Sequence, residues 1–182
     1  MKNICIGLFE GETLPESLAA FKDVKLDLEF GKITTIHTLN QLDCEKVVVV
    51  GLGDGKKNIK EAFSKVEADD YLVYATENTA YAAGFGLVYG AYSYKDTKVY
   101  DLESDDFKDE FEKGKTVARI VNHAREMSDM PANFLTPDHL VDEAKLVAEK
   151  YDMEIEVLAQ DDLEEIGAGA LLAVNQGSDR PC

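Results

Sequence analysis

The chain has 182 residues, 45% of them hydrophobic and 9% aromatic, enough for a proper core in one ordinary domain or in one small domain plus part of a second. Its formal net charge of −17 argues against a phosphate-backbone partner and against anionic membrane surfaces, both of which select basic patches. No nucleic acid and no membrane are expected, and the acidity reads as a solvated, self-repelling surface.

Residues 1–10 carry Lys2 and a short apolar run that Asn3 interrupts and Glu10 ends, without a small-residue cleavage site. Ile4 to Phe9 therefore reads as a first strand and not as a signal peptide. Leu14 to Phe21 reads as a short helix with Pro15 near its start. Leu26 and Leu28 alternate with charged residues between Lys25 and Phe30, a half-buried strand pattern. The β-branched stretch from Ile33 to Leu39 can pair with it around Gly31 and Lys32. Lys46 to Leu52 is the strongest strand, because the consecutive valines Val47 to Val50 suit a strand covered on both faces. That is the pattern of a mostly parallel sheet with helices on either side, an α/β fold. Ile59 to Val66 reads as a short helix, and Tyr71 to Thr76 fits either a strand or more helix. Asn78 to Tyr92 places Ala80, Ala83, Gly84, Leu87, Val88 and Ala91 at helical spacing, small enough for close packing on a sheet. Thr97 to Leu102 reads as the last strand of the first domain.

Asp101 to Glu112 is strongly acidic and marks a surface segment at a domain boundary. From Phe107 to Met127 the residues Phe111, Gly114, Ala118, Val121 and Arg125 give a long connecting helix. Pro131 and Pro137 then restrict themselves and the preceding Met130 and Thr136, which predicts an extended connector. Thr136 is a good N-cap, and Pro137 suits the first helical position. Leu140, Ala144, Val147, Ala148 and Tyr151 form one apolar helix face. Glu154 to Leu158 alternates as a strand, Asp161 caps a short helix that Gly167 ends, and Ala170 to Val174 reads as a buried strand. No apolar run is long enough to span a bilayer.

Candidate chemistry is sparse. Gly51-Leu52-Gly53-Asp54-Gly55-Lys56-Lys57 follows a strand, but it matches neither phosphate-binding glycine fingerprint, and Asp54 puts a negative charge where an anion would sit. A tight turn is the better reading. His37, His123 and His139 have no helical His-x-x-x-His partner and no nearby cysteine, so local spacing writes no zinc set. Cys5, Cys44 and Cys182 are few, odd in number and far apart, which points to a reducing compartment and a cytoplasmic location. The acidic pairs Asp69-Asp70, Asp105-Asp106, Asp161-Asp162 and Glu164-Glu165 read as solvated faces, since acid–base work needs positioned groups with divergent pKa values. No serine sits in a Gly-x-Ser-x-Gly elbow.

Two stretches carry a resemblance. Pro131-Ala132-Asn133-Phe134-Leu135-Thr136-Pro137, and then Gly169-Ala170-Leu171-Leu172-Ala173-Val174-Asn175-Gln176-Gly177-Ser178-Asp179-Arg180-Pro181, resemble the leucyl (cytosol) aminopeptidase family in its order and spacing. Val47 to Gly53 and Gly86 to Lys95 look like that family's more variable N-terminal domain. The resemblance implies a metallo-exopeptidase that releases N-terminal amino acids from peptides and assembles as a homo-hexamer through its catalytic domains. Two divalent ions, zinc or manganese, would serve as Lewis acid, activator of a bridging water and anchor for the substrate amine.

The family's metal and catalytic segments lie further on than Cys182. No residue of this chain therefore receives a catalytic, cofactor-binding or metal role, and the chain alone is expected to be inactive. The implied organisation is a macro-domain-like α/β domain over 1–104 and a connecting helix over 105–129. Residues 130–182 would supply the proline joint and the first elements of the catalytic domain, an incomplete second α/β unit. The alternative is a stand-alone macro-like binding or interaction module without catalysis.

Overall fold

Val47 to Val50 lie in an interior strand of the sheet, as a strand apolar on both faces must. In the computed structural model, which describes residues 2–97 and 99–180, the chain forms two compact units, Met1–Glu126 and Met127–Cys182. The sheet belongs to the first. Strand β3 (Lys46–Gly51) pairs in parallel with β1 (Asn3–Leu8) and antiparallel with β2 (Ile33–His37). Strands β4 (Tyr71–Tyr74) and β5 (Leu102–Ser104) extend the parallel part, giving the order β2-β3-β1-β4-β5. Ile4 lies opposite Val47 and Gly7 opposite Val50.

Alternation along the strands divides the core in two. Cys5, Val48, Val50 and Val73 face helices α1 (Ile59–Phe63) and α2 (Ala80–Gly90), joined by Phe111 from α3 (Lys108–Asp129). Ile4, Ile6, Leu8, Val47 and Val49 face a 3-10 helix, Glu16–Phe21, and irregular segments that contribute Leu14, Leu26, Leu28 and Leu42. The helices α2 and α3 approach closely because both carry glycine at the crossing. A Cβ on Gly84 would strike the Phe111 carbonyl, and one on Gly114 would strike the Tyr81 carbonyl.

Tyr71 to Tyr74 is a strand, which settles the open alternative for that stretch. Lys25 to Phe30 is not a strand. Strand β2 takes its antiparallel ladder from β3, and residues 25–32 fold over the end of β3 instead. There Leu28 O accepts from Gly53 N (3.0 Å), while Gly31 N donates to Gly51 O and Gly51 N to Lys32 O (both 2.8 Å). The expected strand from Thr97 to Leu102 is displaced to Leu102–Ser104; Lys98 lies outside the described residues. Asp101 anchors the start of pairing, its N–H donating to Asp70 Oδ1 (2.8 Å) and its carbonyl accepting from Tyr71 N (3.1 Å).

The second unit holds helices α4 (Pro137–Lys150), α5 (Gln160–Glu165) and α6 (Gly169–Asn175). The proline segment is a compact turn, not an extended connector: Phe134 N and Leu135 N both donate to Pro131 O, at 2.8 and 3.1 Å. Each proline constrains its own φ and the residue before it, so Ala132 to Phe134 stay free to turn. Thr136 caps α4 as expected, its hydroxyl accepting from His139 N (3.3 Å), with Pro137 in the first turn.

Residues 154–158 belong to no sheet among the described residues and form no strand. The cap of α5 is at Ala159, not Asp161; the Asp162 carboxylate reaches back to accept from Ala159 N (2.9 Å), and Gly167 follows at φ +73°. Ala170 to Val174 is helical, not a buried strand: Ala and Leu are strong helix formers, and a short apolar run fits either structure until a neighbouring strand decides. Its Val174 is 83% exposed.

Candidate functional site

In open α/β sheets ligands favour the crevice at the carboxyl ends of the parallel strands. Here that end carries the glycine turn after β3. Gly53 and Gly55 adopt φ of +63° and +78°, which suits glycine and gives the tight turn that the sequence suggests. A phosphate cradle needs free backbone N–H groups, and three in this turn are already bonded. Leu52 N donates to Leu8 O (2.9 Å), Gly53 N to Leu28 O (3.0 Å) and Lys56 N to Asp54 Oδ1 (3.1 Å). Lys56 Nζ also pairs with Asp54 Oδ2 at 2.5 Å, which holds the Asp54 carboxyl below the usual carboxylate range. Phe30 and Phe9 pack against Gly53 and Gly55, and Lys57 Nζ lies 4.9 Å from the Phe30 ring centre. At the neighbouring strand end, the Asp105 carboxylate already accepts from Ala75 N (2.9 Å).

The histidines stay on separate elements: His37 on β2, His123 on α3 and His139 at the start of α4. His139 Nε2 lies 3.8 Å from Glu143 Oε1 one turn on. Among the described residues no three His, Cys, Asp or Glu side chains converge to hold a metal ion. The residues present thus do not provide a dinuclear metal site. Of the acidic pairs, Asp69 serves the fold directly. Its carboxylate accepts from Lys46 Nζ (2.8 Å) and Asn3 Nδ2 (3.0 Å), and buried Asn3 in turn accepts from Lys46 N (3.0 Å). Burial pushes the Cys5 thiol up to about 12, so it is no nucleophile near neutral pH.

A feature that no single motif in the sequence displays is a cleft of about 410 Å³ beside the C-terminal end of α2, within the first unit. Val88, Ala91, Tyr100 and Leu102 line it, and Lys115, Arg119, His123 and Glu126 of α3 face it. Lys115 is held at its base, 9% exposed, with Nζ donating to Leu102 O (2.7 Å) and Glu112 Oε1 (2.6 Å). Asn122 Nδ2 donates to Val88 O (2.9 Å), which ties α3 to α2. Arg125 reinforces the tie, donating to Tyr89 O (3.0 Å) with its guanidinium 4.3 and 4.2 Å from the rings of Tyr89 and Tyr92. The signal that could have found this face is the polar series Lys115, Arg119, His123 at four-residue spacing, hidden beside the apolar series of the same helix.

Residues 122–182 match the sequence profile of the cytosol aminopeptidase family, catalytic domain. A probable cytosol aminopeptidase of Exiguobacterium sibiricum is 36% identical over 174 residues, covering 83% of this chain and 36% of the relative. Along most of its length the chain is similar to cytosol aminopeptidases. A second probable cytosol aminopeptidase, from Aromatoleum aromaticum, is 25% identical over 98% of this chain and 46% of its own length. The chain thus spans less than half the length of the curated relatives it matches.

Solved structures agree on the fold. The bottromycin maturation enzyme BotP in complex with Mn aligns with a TM-score of 0.74 at 20% identity, over 99% of this chain and 43% of that one. The cytosol aminopeptidase from Coxiella burnetii aligns at 0.65 and 16% identity, over 91% of this chain and 39% of that one. The α/β architecture with its mostly parallel five-stranded sheet and long helix is shared with these structures. No helix among the described residues is long and apolar enough to cross a membrane.

Proposed function

We propose that this chain is the N-terminal portion of a metal-dependent aminopeptidase that removes N-terminal amino acids from peptides in the cytoplasm. In this reading residues 1–104 are a macro-like α/β domain, 105–129 the connecting helix, and 130–182 the first elements of a catalytic domain. The observation that carries it is the catalytic-domain match over 122–182, joined to relatives more than twice as long as the aligned chain. Two divalent ions, zinc or manganese, would be bound by segments outside this chain; the manganese complex of BotP supports a metal of this kind. A homo-hexamer built through the catalytic domains completes the reading. The 182-residue chain alone is inactive, because its described residues offer no converging set of metal ligands.

Two measurements test this. An immunoblot of the source cell against this chain should reveal a polypeptide several hundred residues longer; a product of the chain's own size overturns the reading. The purified chain should release no leucine from leucyl peptides with added manganese or zinc, and metal-dependent release refutes its inactivity. A stand-alone macro-like binding or interaction module is the weaker alternative; against nucleotide binding in it, the Leu52, Gly53 and Lys56 amides of the glycine turn are already bonded and phenylalanines pack on it. Titration with ADP-ribose is expected to leave the melting temperature unchanged; a saturable rise would favour the module instead.

A further inference from the structure

The cleft between the end of α2 and α3 has no part in the aminopeptidase reading, and its composition is at odds with its setting. The chain carries a net charge of −17, yet Lys95, Lys115 and Arg119 all line this cleft. Lys115 and Arg119 stand four residues apart on α3 and so share one face of the helix. A lysine ammonium has three donors, and two of those on Lys115 are committed to Leu102 O and Glu112 Oε1. The third remains. Arg119 is exposed and makes no ion pair among the described residues, so its guanidinium keeps its donors for a ligand. The floor beneath them is hydrocarbon from Val88, Ala91 and Leu102.

Further along the helix, Glu126 also lines the cleft. Seven residues from Arg119, it stands about 10 Å along the helix axis. A carboxylate there repels a second negative group at that end. The arrangement selects one anionic head beside an apolar body.

We propose that this cleft binds small apolar monocarboxylates, the carboxylate held by Arg119 and the spare N–H of Lys115 and the hydrocarbon on Val88, Ala91 and Leu102. An apolar-floored pocket of this size with a few convergent polar groups is the usual form of a small-molecule site. The site is independent of the peptidase chemistry proposed above.

The test is a titration of the ¹⁵N-labelled 182-residue chain followed by amide chemical shifts, with N-acetyl-L-leucine and its neutral counterpart N-acetyl-L-leucinamide as probes. The acid should saturate and move the amides of Val88, Ala91 and Arg119, and the neutral amide should bind about tenfold more weakly or worse, because it lacks the charge-assisted bonds. Arg119→Ala, at an exposed position, should weaken the acid by about tenfold while the rest of the spectrum is kept. Ala91→Trp should fill the floor and abolish binding. Equal binding of acid and amide, shifts confined to the second unit, or no shift at millimolar acid each overturn the proposal.

Discussion

Gly84 and Gly114 work as a pair, each meeting a backbone carbonyl of the other's helix where a side chain would begin. Gly114→Ala therefore inserts a methyl against the Tyr81 carbonyl and should cost about 1–3 kcal/mol, as overpacking does. Gly177→Ala meets nothing within 4 Å and should change stability by less than about 0.5 kcal/mol. Urea unfolding of both variants checks the contrast. A second residue-scale prediction concerns Asp69. Burial alone would raise its pKa, but the hydrogen bond from Lys46, with Asp70 N–H and Asn3 in support, holds it below the usual value. Its contribution is therefore present above the unfolded pKa near ~4 and is lost as pH falls through the folded value. Lys46 is shifted upward, chiefly by the same hydrogen bond, so its contribution persists below its ordinary 10.5 and is lost as pH rises through the folded pKa. Both side chains are partly solvated, which limits the pair to about 0.5–1 kcal/mol. Asp69→Asn should flatten the acid limb of stability against pH; an unchanged limb would show that the pair contributes nothing.

Among the elements, α4 has the most explicit start signal. Thr136→Ala removes the acceptor for His139 N and should weaken the first turn by about 1 kcal/mol, whereas Thr136→Ser should keep it. Faster hydrogen exchange at His139 in the alanine variant alone would confirm the cap. That start was legible because capping is local chemistry, written in Thr136 and Pro137 themselves. Strand β3 was legible for a different reason: four consecutive valines have few alternatives to a doubly covered strand. Two of the failures turned on contacts distant in sequence. Lys25 to Phe30 alternates like a strand, but its backbone is tied to the end of β3, where Leu28 O accepts from Gly53 N, and β2 stays at the edge of the sheet. Ala170 to Val174 lacks any strand beside it and takes the helix that its alanines and leucines favour. The cleft went unnoticed because its walls come from α2, β5 and α3 together, and no single stretch displays it.

At the scale of the molecule, the two units differ in how well they satisfy their apolar residues. The first buries two continuous clusters on the two faces of one sheet. In the second, Ala148 and Leu163 are buried, while Leu140, Tyr151, Met153, Ile155, Ile166 and Leu171 are all exposed. Because apolar burial supplies most of the driving force for folding, the units should not share one stability. Native-state hydrogen exchange should therefore divide at the boundary after Glu126. Amides of β1 and β3 should exchange only through global unfolding, and those of α4 to α6 through much cheaper local opening. The same exposed residues should make the isolated chain self-associate as concentration rises, since patches of this kind seek cover. In the longer polypeptide proposed above, residues 153–158 would gain the neighbouring strand that their alternation suits, and their amides should become protected. Equal protection of both units in the 182-residue chain would mean that α4 to α6 are stabilised without further partners, and the reading of residues 130–182 as the beginning of a larger domain would fail.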